Sequence, residues 1–337
     1  MIPHIDIPVS EQSQVGEARR AASRLASDHD LDETAVGRIA IIVTELGNNL
    51  WRHAAKGRLL IGCRKTGEGC LLEVISIDSG PGMDVARCLR DGFSSGGTPG
   101  TGLGAVQRLS TDFSAFSAID KGSVILSRTW VPAASASGAA SPRARIAHAG
   151  ICLAAPGEVI SGDAWDIRID DGKATVIVAD GLGHGPVAAE AAAEALKAFA
   201  SIGGSPSAVL ERAHPLMRST RGAAVSIAEV DAKAGTIVYA GAGNISGRLI
   251  SGVEDRSLMS QHGTLGVQIR KLQDVSYPWP DHSLLVLHSD GLATRWHLKE
   301  VGGLLQCDPA VVAGWLLRDY TRGHDDVTIV VLKRGLR

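Results

Sequence analysis

Aromatic side chains are scarce in this sequence, and charge of neither sign is in excess. Aromatics make up 4 % of the 337 residues and the formal net charge is -2, so no basic or ring-stacking surface for nucleic acid is expected. No apolar run approaches the ~20 residues that span a bilayer, and Met1–Ser10 lacks the features of a signal peptide. We therefore expect a cytoplasmic protein that binds neither nucleic acid nor membrane.

Cysteines are few and lack the spacing of a zinc site. The chain has five, an odd number, and no two of them form a CxxC pair. We therefore expect free thiols in a reducing compartment rather than a disulfide framework.

Large apolar side chains are missing from one short internal segment. Between Ala133 and Pro142 the sequence contains only Ala, Ser and Gly. Such a segment cannot bury enough surface to offset the entropy lost on ordering. We predict one domain at residues 1–131, a flexible Ala/Ser/Pro linker at 132–144 and a second domain at 145–337.

The pattern of apolar residues differs between the two halves. The first half predicts helices followed by mostly antiparallel strands, which is typical of an α/β sandwich. The second half predicts many strands and two long helices, at Pro186–Ala200 and Pro309–Tyr320. This composition favours sheets covered by helices. The fold class predicted for both halves is therefore α/β (α+β).

Two polar residues on a predicted helix of the first half stand four residues apart. Glu45 and Asn49 therefore share one face of that helix. A carboxylate and an amide at this spacing can hold a hydrated Mg²⁺ that bridges phosphates. Taken alone, the pair is better explained as a polar stripe on a solvated helix.

Two glycine-containing motifs follow. Asp78 ends a hydrophobic strand and begins Asp-Ser-Gly-Pro-Gly, in which a buried carboxylate could accept the adenine amino group while Gly80 and Gly82 let the backbone approach the ring. An ordinary Asp-Gly turn is the simpler alternative. The second motif opens a predicted helix, where backbone amides favour phosphate; its residues are Gly100, Thr101, Gly102, Leu103 and Gly104.

In this order and at these distances, the three motifs resemble those of the GHKL ATPase family over residues 10–130. The resemblance implies an ATP and Mg²⁺ site with Glu45 as general base or ligand of a Mg²⁺-bound water and Asn49 as Mg²⁺ ligand. It implies that Asp78–Gly82 binds adenine and that Gly100–Gly104 forms the lid. No long helix with a phosphoacceptor histidine is present, so the small serine/threonine kinases of anti-sigma and stressosome switches match better than sensor histidine kinases.

Acidic residues follow predicted strands or tight turns in the second half. Hard oxygen ligands of this kind suit Mg²⁺ or Mn²⁺, and two such ions can activate a water and neutralise a phosphoryl group. Unrelated Asp-containing turns are the alternative, although glycine stands beside three of these positions. The residues are Asp163, Asp180, Asp290, Asp325 and Asp326.

These positions resemble the metal-dependent PPM phosphatases, in particular their bacterial SpoIIE-like branch, over residues 145–335. The resemblance implies an αββα sandwich that binds two Mn²⁺ or Mg²⁺ ions, with the Gly181 carbonyl as a further ligand and Asp180 as a catalytic residue. Either Asp325 or Asp326 takes the last ligand position. Leu182 stands where eukaryotic members have a histidine, and His184 is an imperfect substitute.

Together the resemblances imply a bifunctional signalling enzyme of a bacterial partner-switching pathway. Its first domain would phosphorylate Ser or Thr of a STAS-domain anti-sigma antagonist or stressosome scaffold, and its second domain would remove the phosphate. The alternative is a phosphatase whose first domain is a nucleotide-gated binding module for a STAS protein, a sigma factor or a downstream regulator.

Overall fold

The computed structural model describes residues 4–54, 56–66, 68–90, 102–133, 146–252, 254–298 and 301–335. Contacts divide the chain into two compact units, one formed by Ile2–Ala140 and the other essentially by Ser141–Arg337. Most of the predicted linker at 132–144, together with Gly100 and Thr101 of the predicted lid, lies outside the described residues. Within the described ranges, no helix is both long enough and apolar enough to cross a bilayer.

The first unit is an antiparallel sheet with helices packed on one face. Its elements are β1 (His4–Val9), α1 (Gln12–Asp28), α2 (Glu33–His53), β2 (Gly57–Thr66), β3 (Gly69–Asp78), α3 (Val85–Cys88), α4 (Gly102–Leu109), β4 (Asp112–Ala118) and β5 (Gly122–Pro132). The strand order is β1-β2-β3-β5-β4. One face of this sheet forms a core with α1, α2 and α4.

Helix α2 carries the first candidate site on its less buried side. It begins after Asp32, whose carboxylate accepts a hydrogen bond from the Ala35 amide at 2.7 Å and so caps the helix. Its apolar stripe, which includes Ile39, Leu46 and Leu50, is buried against the sheet. Because Glu45 and Asn49 lie beside this stripe, packing of α2 fixes both side chains while leaving them half-buried.

A buried charge cluster lies on β3 and its neighbouring strands. Glu73 is 1 % exposed and bonds to His4 Nε2 at 3.0 Å and to Arg128 Nε at 2.5 Å. Burial alone would raise the pKa of Glu73, but Arg128 and His4 outweigh it and lower the pKa to about 2. The ionised carboxylate therefore stabilises the folded unit.

Acid is expected to remove this stabilisation. Because the folded pKa of Glu73 lies below the unfolded value, its contribution is present above about pH 5 and is lost as the pH falls toward 2. The lowered pKa of Glu73 contributes about 3 kcal/mol to the free energy of unfolding at neutral pH, and about 2 kcal/mol of this contribution should be lost by pH 3. Hydrogen exchange of the β3 amides measures this contribution when the wild-type chain is compared with Glu73→Gln. The difference in unfolding free energy between the two proteins should shrink between pH 5 and pH 3. A constant difference would contradict the prediction.

The second unit contains two five-stranded sheets. Its elements are β6 (Ile146–Leu153), β7 (Asp163–Asp170), β8 (Lys173–Gly181), α5 (Pro186–Ser201), α6 (Pro206–Leu216), β9 (Ala223–Asp231), β10 (Thr236–Ala242), β11 (Ser246–Ile250), β12 (Asp255–Leu258), β13 (Gly263–Thr264), β14 (Gln268–Ile269), β15 (Val275–Pro278), β16 (Leu284–His288), α7 (Pro309–Tyr320) and β17 (Val327–Arg334). The sheet orders are β15-β10-β9-β8-β7 and β12-β11-β16-β17-β6.

The two sheets pack face to face, and helices cover their outer faces. Trp165 and Val178 of the first sheet share a core with Leu287 and Val330 of the second. Helices α5 and α6 pack on the first sheet, and α7 packs on β6 and β17 of the second. The unit is therefore an αββα sandwich, and the predicted α/β class is confirmed for the chain.

The predicted helices of the second half agree closely with α5 and α7. Helix α7 begins and ends at the predicted residues, and α5 extends one residue further, to Ser201. The sequence did not predict α6, whose helix contains Pro215 near its end. In the first unit it missed the two edge strands, β1 and β4.

Candidate active sites

The predicted Mg²⁺ ligands of the first unit lie beside the start of α4. A Cβ added at Gly102 would lie 3.6 Å from Glu45 Oε2 and 4.0 Å from Asn49 Oδ1. Leu103 and Gly104, in the first turn of α4, are buried and pack toward α2. The structure thus brings Glu45, Asn49 and the helix that follows the glycine-rich segment together.

The predicted adenine motif lies at the end of β3. Asp78 is 9 % exposed, and its Oδ1 accepts the Gly80 amide at 2.7 Å. A Cβ added at Gly80 would lie 2.8 Å from the His53 carbonyl oxygen, so this turn lies against the end of α2. Gly82 has φ 74, and a Cβ there would lie 2.2 Å from the Ala118 carbonyl oxygen. A side chain is excluded at Gly82 on both grounds.

The acidic residues of the second unit gather where strands of its two sheets end. Asp163 at the start of β7 stands directly opposite Asp180 on β8. Ser289, just after β16, donates its hydroxyl to Asp163 Oδ2 at 2.6 Å and so connects the second sheet to the first. Gly181 follows Asp180 and lies against α5, since a Cβ there would be 2.1 Å from the Ala188 carbonyl oxygen.

Asp325 and Asp326 occupy different environments beside this pair. Asp326 is 3 % exposed, and its Oδ1 accepts the Ala155 amide at 2.8 Å. Its Oδ2 is buried against Gly162 without a hydrogen bond of ordinary geometry. Asp325 is half-buried, and its Oδ1 accepts the Asp326 amide at 2.9 Å. The unsatisfied oxygen of Asp326 is therefore available to a cation.

Asp290 has a polar neighbour that the sequence analysis missed. Asn244, in the turn between β10 and β11, donates its Nδ2 to Asp290 Oδ2 at 2.8 Å. Asn244 lies 46 residues before Asp290 in the chain, so no local spacing could have revealed this contact. The hydrogen bond holds the Asp290 side chain in place.

The carboxylates repel one another strongly in the absence of a counter-ion. Burial, together with the charge of Asp326, raises the pKa of Asp163 to about 7 in spite of the hydrogen bond from Ser289. Burial, followed by the charges of the other four aspartates, raises the pKa of Asp180 to about 8. Burial also raises the pKa of Asp326.

A divalent cation would relieve this repulsion and satisfy Asp326 Oδ2, so the residues fit Mg²⁺ or Mn²⁺. Within the described ranges, no three His, Cys, Asp or Glu side chains converge closely enough to enclose one ion. A Mg²⁺ site of this type draws its remaining ligands from carbonyl oxygens and water. The ligand roles of the five aspartates and of Gly181 therefore stay predictions.

A buried hydrogen-bond relay positions Ser289. Trp296 donates Nε1–H to His288 Nε2 at 3.2 Å, which leaves His288 Nδ1–H to donate to the Ser289 carbonyl at 2.8 Å. Burial lowers the pKa of His288 to about 4 and keeps the imidazole neutral. Trp296 and His288 thus hold the serine that orients Asp163, a role that the sequence analysis did not assign.

Cationic groups border the acidic cluster on the side of α5. His184 Nδ1 lies 2.7 Å from Glu158 Oε1, so this histidine already has an acidic neighbour. Arg221 is exposed, and its Nη1 would lie 3.2 Å from a Cβ added at Gly183. Leu182, at the position of the eukaryotic histidine, is 46 % exposed. Arg221 therefore places a guanidinium at this edge, where it can meet an anionic substrate.

Comparison with known proteins finds separate relatives for the two units. The family model "Histidine kinase-like ATPase domain" matches residues 9–128, and "Stage II sporulation protein E (SpoIIE)" matches residues 170–335. The serine/threonine-protein kinase RsbT of Bacillus subtilis (strain 168) is 32 % identical over 117 residues, which are 34 % of this chain and 86 % of RsbT.

The phosphoserine phosphatase RsbX of the same organism is 30 % identical over 151 residues, or 43 % of this chain and 75 % of RsbX. A solved structure described as "The bacterial stressosome: a modular system that has been adapted to control secondary messenger signaling" is 26 % identical with a TM-score of 0.52. The match covers 56 % of this chain and 99 % of that one.

The fold, the candidate sites and the relatives together define the class of this protein: a kinase-like ATPase domain joined to a phosphatase domain of the PPM type, also called PP2C. The chain belongs to the histidine kinase-like ATPase family in its first unit and to the SpoIIE family in its second.

Proposed function

We propose that this chain is a bifunctional enzyme of a bacterial partner-switching pathway. Its second unit hydrolyses phosphoserine or phosphothreonine on a STAS-domain anti-sigma antagonist or stressosome scaffold, and its first unit phosphorylates such a protein with ATP. The observation that carries the proposal is the gathering of five aspartates where strands of the two sheets of the second unit end. The relationship to a phosphoserine phosphatase and to a serine/threonine kinase supports both halves.

In the phosphatase unit, the aspartates and the Gly181 carbonyl would hold two Mn²⁺ or Mg²⁺ ions. When bound, these ions supply charge neutralisation and an activated water. Ser289 keeps Asp163 in place, and Asn244 does the same for Asp290. Arg221, at the edge of the cluster, would bind an oxygen of the phosphoryl group.

In the kinase unit, Asn49 would hold Mg²⁺ and Glu45 would accept the proton of the substrate hydroxyl. Their proximity to Gly102 supports this assignment, because the amides at the start of α4 then lie near the phosphates. Asp78 and the turn at Gly80 would bind adenine. Because Gly82 has no side chain, the backbone at this position could approach the adenine ring.

A second function rests on the same first unit. Glu45 is half-buried beside Asn49 and the start of α4, so the geometry suits nucleotide binding as well as transfer. The first unit would then be a nucleotide-gated module that captures a STAS protein, a sigma factor or a downstream regulator.

Transfer of label from radioactive ATP to a STAS protein of the same organism distinguishes these functions. We expect label to accumulate with Asp180→Ala and to stay low with the intact chain, because the phosphatase unit removes it. The double variant Asp180→Ala, Glu45→Ala is the control and should give no label. If Asp180→Ala gives none either, while the intact chain dephosphorylates the phosphorylated STAS protein, the binding-module function is correct.

A further inference from the structure

A polar groove lies beside the acidic cluster of the second unit. Its volume is about 280 Å³, and it is formed by the β11–β12 hairpin and the chain that follows Asp290. Asn244 lines the groove and also donates to Asp290 Oδ2, so the groove adjoins the candidate metal centre. Thr294, four residues after Asp290, also lines the groove. A molecule bound at Asp290 would therefore extend directly into this groove.

Hydroxyl groups in the groove are free to bind a ligand. Ser246, Ser257 and Thr294 line it, and none of the three hydroxyls bonds to another residue in the described part of the chain. Ser257 and Thr294 are also exposed. Each free hydroxyl can donate one hydrogen bond and accept others, which suits the peptide groups of an extended chain.

The groove contains one charged side chain, and that charge is already compensated. Arg248 Nε donates to Asp255 Oδ1 at 3.0 Å, and its guanidinium stacks on the Trp296 ring at 3.8 Å from the centroid. Its Nη1 donates to the Trp296 carbonyl at 2.8 Å. Among the groove residues that the structure describes, an acidic ligand side chain would therefore find no free cation, whereas a short neutral one would find hydrogen-bond partners.

We propose that this groove binds the residues flanking the phosphorylated Ser or Thr of the protein substrate and favours short, uncharged side chains. The inference rests on the proposed phosphatase function. It implies that the flanking residues contribute affinity separately from the chemistry at the aspartates, so the two contributions can be measured independently.

Two substrates separate these contributions. p-Nitrophenyl phosphate reaches only the aspartates, whereas a phosphothreonine peptide with Ser, Asn and Gly flanks also reaches the groove. We expect Ser257→Trp and Thr294→Trp, which fill the groove from exposed positions, to raise KM for the peptide about tenfold or more. Hydrolysis of p-nitrophenyl phosphate should change less than twofold. Ser201→Trp, at the exposed end of α5, is the control for bulk and should leave both substrates unaffected.

A milder double variant tests the same proposal if the tryptophan variants do not fold. Ser257→Ala combined with Thr294→Val removes two hydroxyls at nearly constant volume and should raise the peptide KM about threefold to tenfold. A peptide with Glu flanks should bind the wild type more weakly than the neutral peptide.

The proposal would be overturned if the filled variants hydrolysed both substrates as the wild type does, or lost both equally. It would also be overturned if the wild type showed the same kcat/KM for the peptide and for free phosphothreonine, which has the same leaving group but no flanking residues. Failure of the wild type to hydrolyse either substrate with Mn²⁺ would instead refute the proposed phosphatase function itself.

Discussion

Replacement of Asp180 by asparagine is expected to reduce hydrolysis of p-nitrophenyl phosphate about a thousandfold. Asp180 stands opposite Asp163 and interacts with the other four aspartates of the cluster. Loss of its charge removes several kcal/mol of the stabilisation that divalent cations supply, and each 1.36 kcal/mol corresponds to tenfold in rate. Steady-state assays with saturating Mn²⁺ measure this loss of activity. The matched control is Asp170→Asn, which replaces an exposed carboxylate at the end of β7.

The same substitution should make the metal-free protein more stable. Burial and the neighbouring aspartates raise the pKa of Asp180 to about 8, so at neutral pH the metal-free fold must take up a proton at a carboxyl that is ionised in the unfolded chain, and an asparagine of equal size avoids this cost. We expect the melting temperature of the second unit in EDTA to rise by about 2–4 °C, which corresponds to about 1 kcal/mol. The further rise on adding Mn²⁺ should be smaller than in the wild type. An Asp180→Asn protein that is less stable in EDTA, or that keeps full activity, would contradict the role given to this residue.

Replacement of Glu45 by alanine is expected to lower phosphate transfer to a STAS protein at least a hundredfold, as the loss of a general base does. ATP affinity should change less than about threefold, because the predicted adenine contacts come from Asp78 and the turn at Gly80 rather than from Glu45. Glu45 is half-buried on the side of α2 away from the core, so the fold should not change. Transfer is measured in the Asp180→Ala background, and ATP binding by calorimetry on the same protein.

Glu17→Ala, an exposed substitution on α1, serves as the control for this measurement. If transfer persists in Glu45→Ala at the wild-type rate, Glu45 is not the base, and the assignment from the resemblance is wrong. A large loss of ATP affinity would indicate that Glu45 acts through Mg²⁺ rather than on the substrate hydroxyl.

Local sequence was sufficient for the elements whose pattern repeats within a few residues. The apolar stripe of α2 predicted both the helix and the side that carries Glu45 and Asn49. Helix α7 was predicted to its terminal residues, because Pro309 and the Asp308 cap mark its start. The aspartates were visible because each ends or precedes an apolar strand or accompanies glycine.

Elements at the edges of sheets escaped the same analysis. In β1, position 8 is Pro, and buried and exposed residues alternate only over the last residues of the strand. In β4, every residue after the exposed Asp112 is half-buried, and the strand is rich in Ser and Ala. Edge strands are stabilised by pairing with one neighbour rather than by a continuous apolar run, so their own sequences carry little signal.

By itself, the sequence determined which residues could carry the chemistry and in what order they occur along the chain. Only the tertiary structure decided which other side chains hold them in place. Ser289 reaches Asp163 across 126 residues, and Asn244 reaches Asp290 across 46. The physical reason is that a hydrogen bond between two strand ends depends on how two sheets pack, and sheet packing is set by the summed burial of many residues rather than by any local motif.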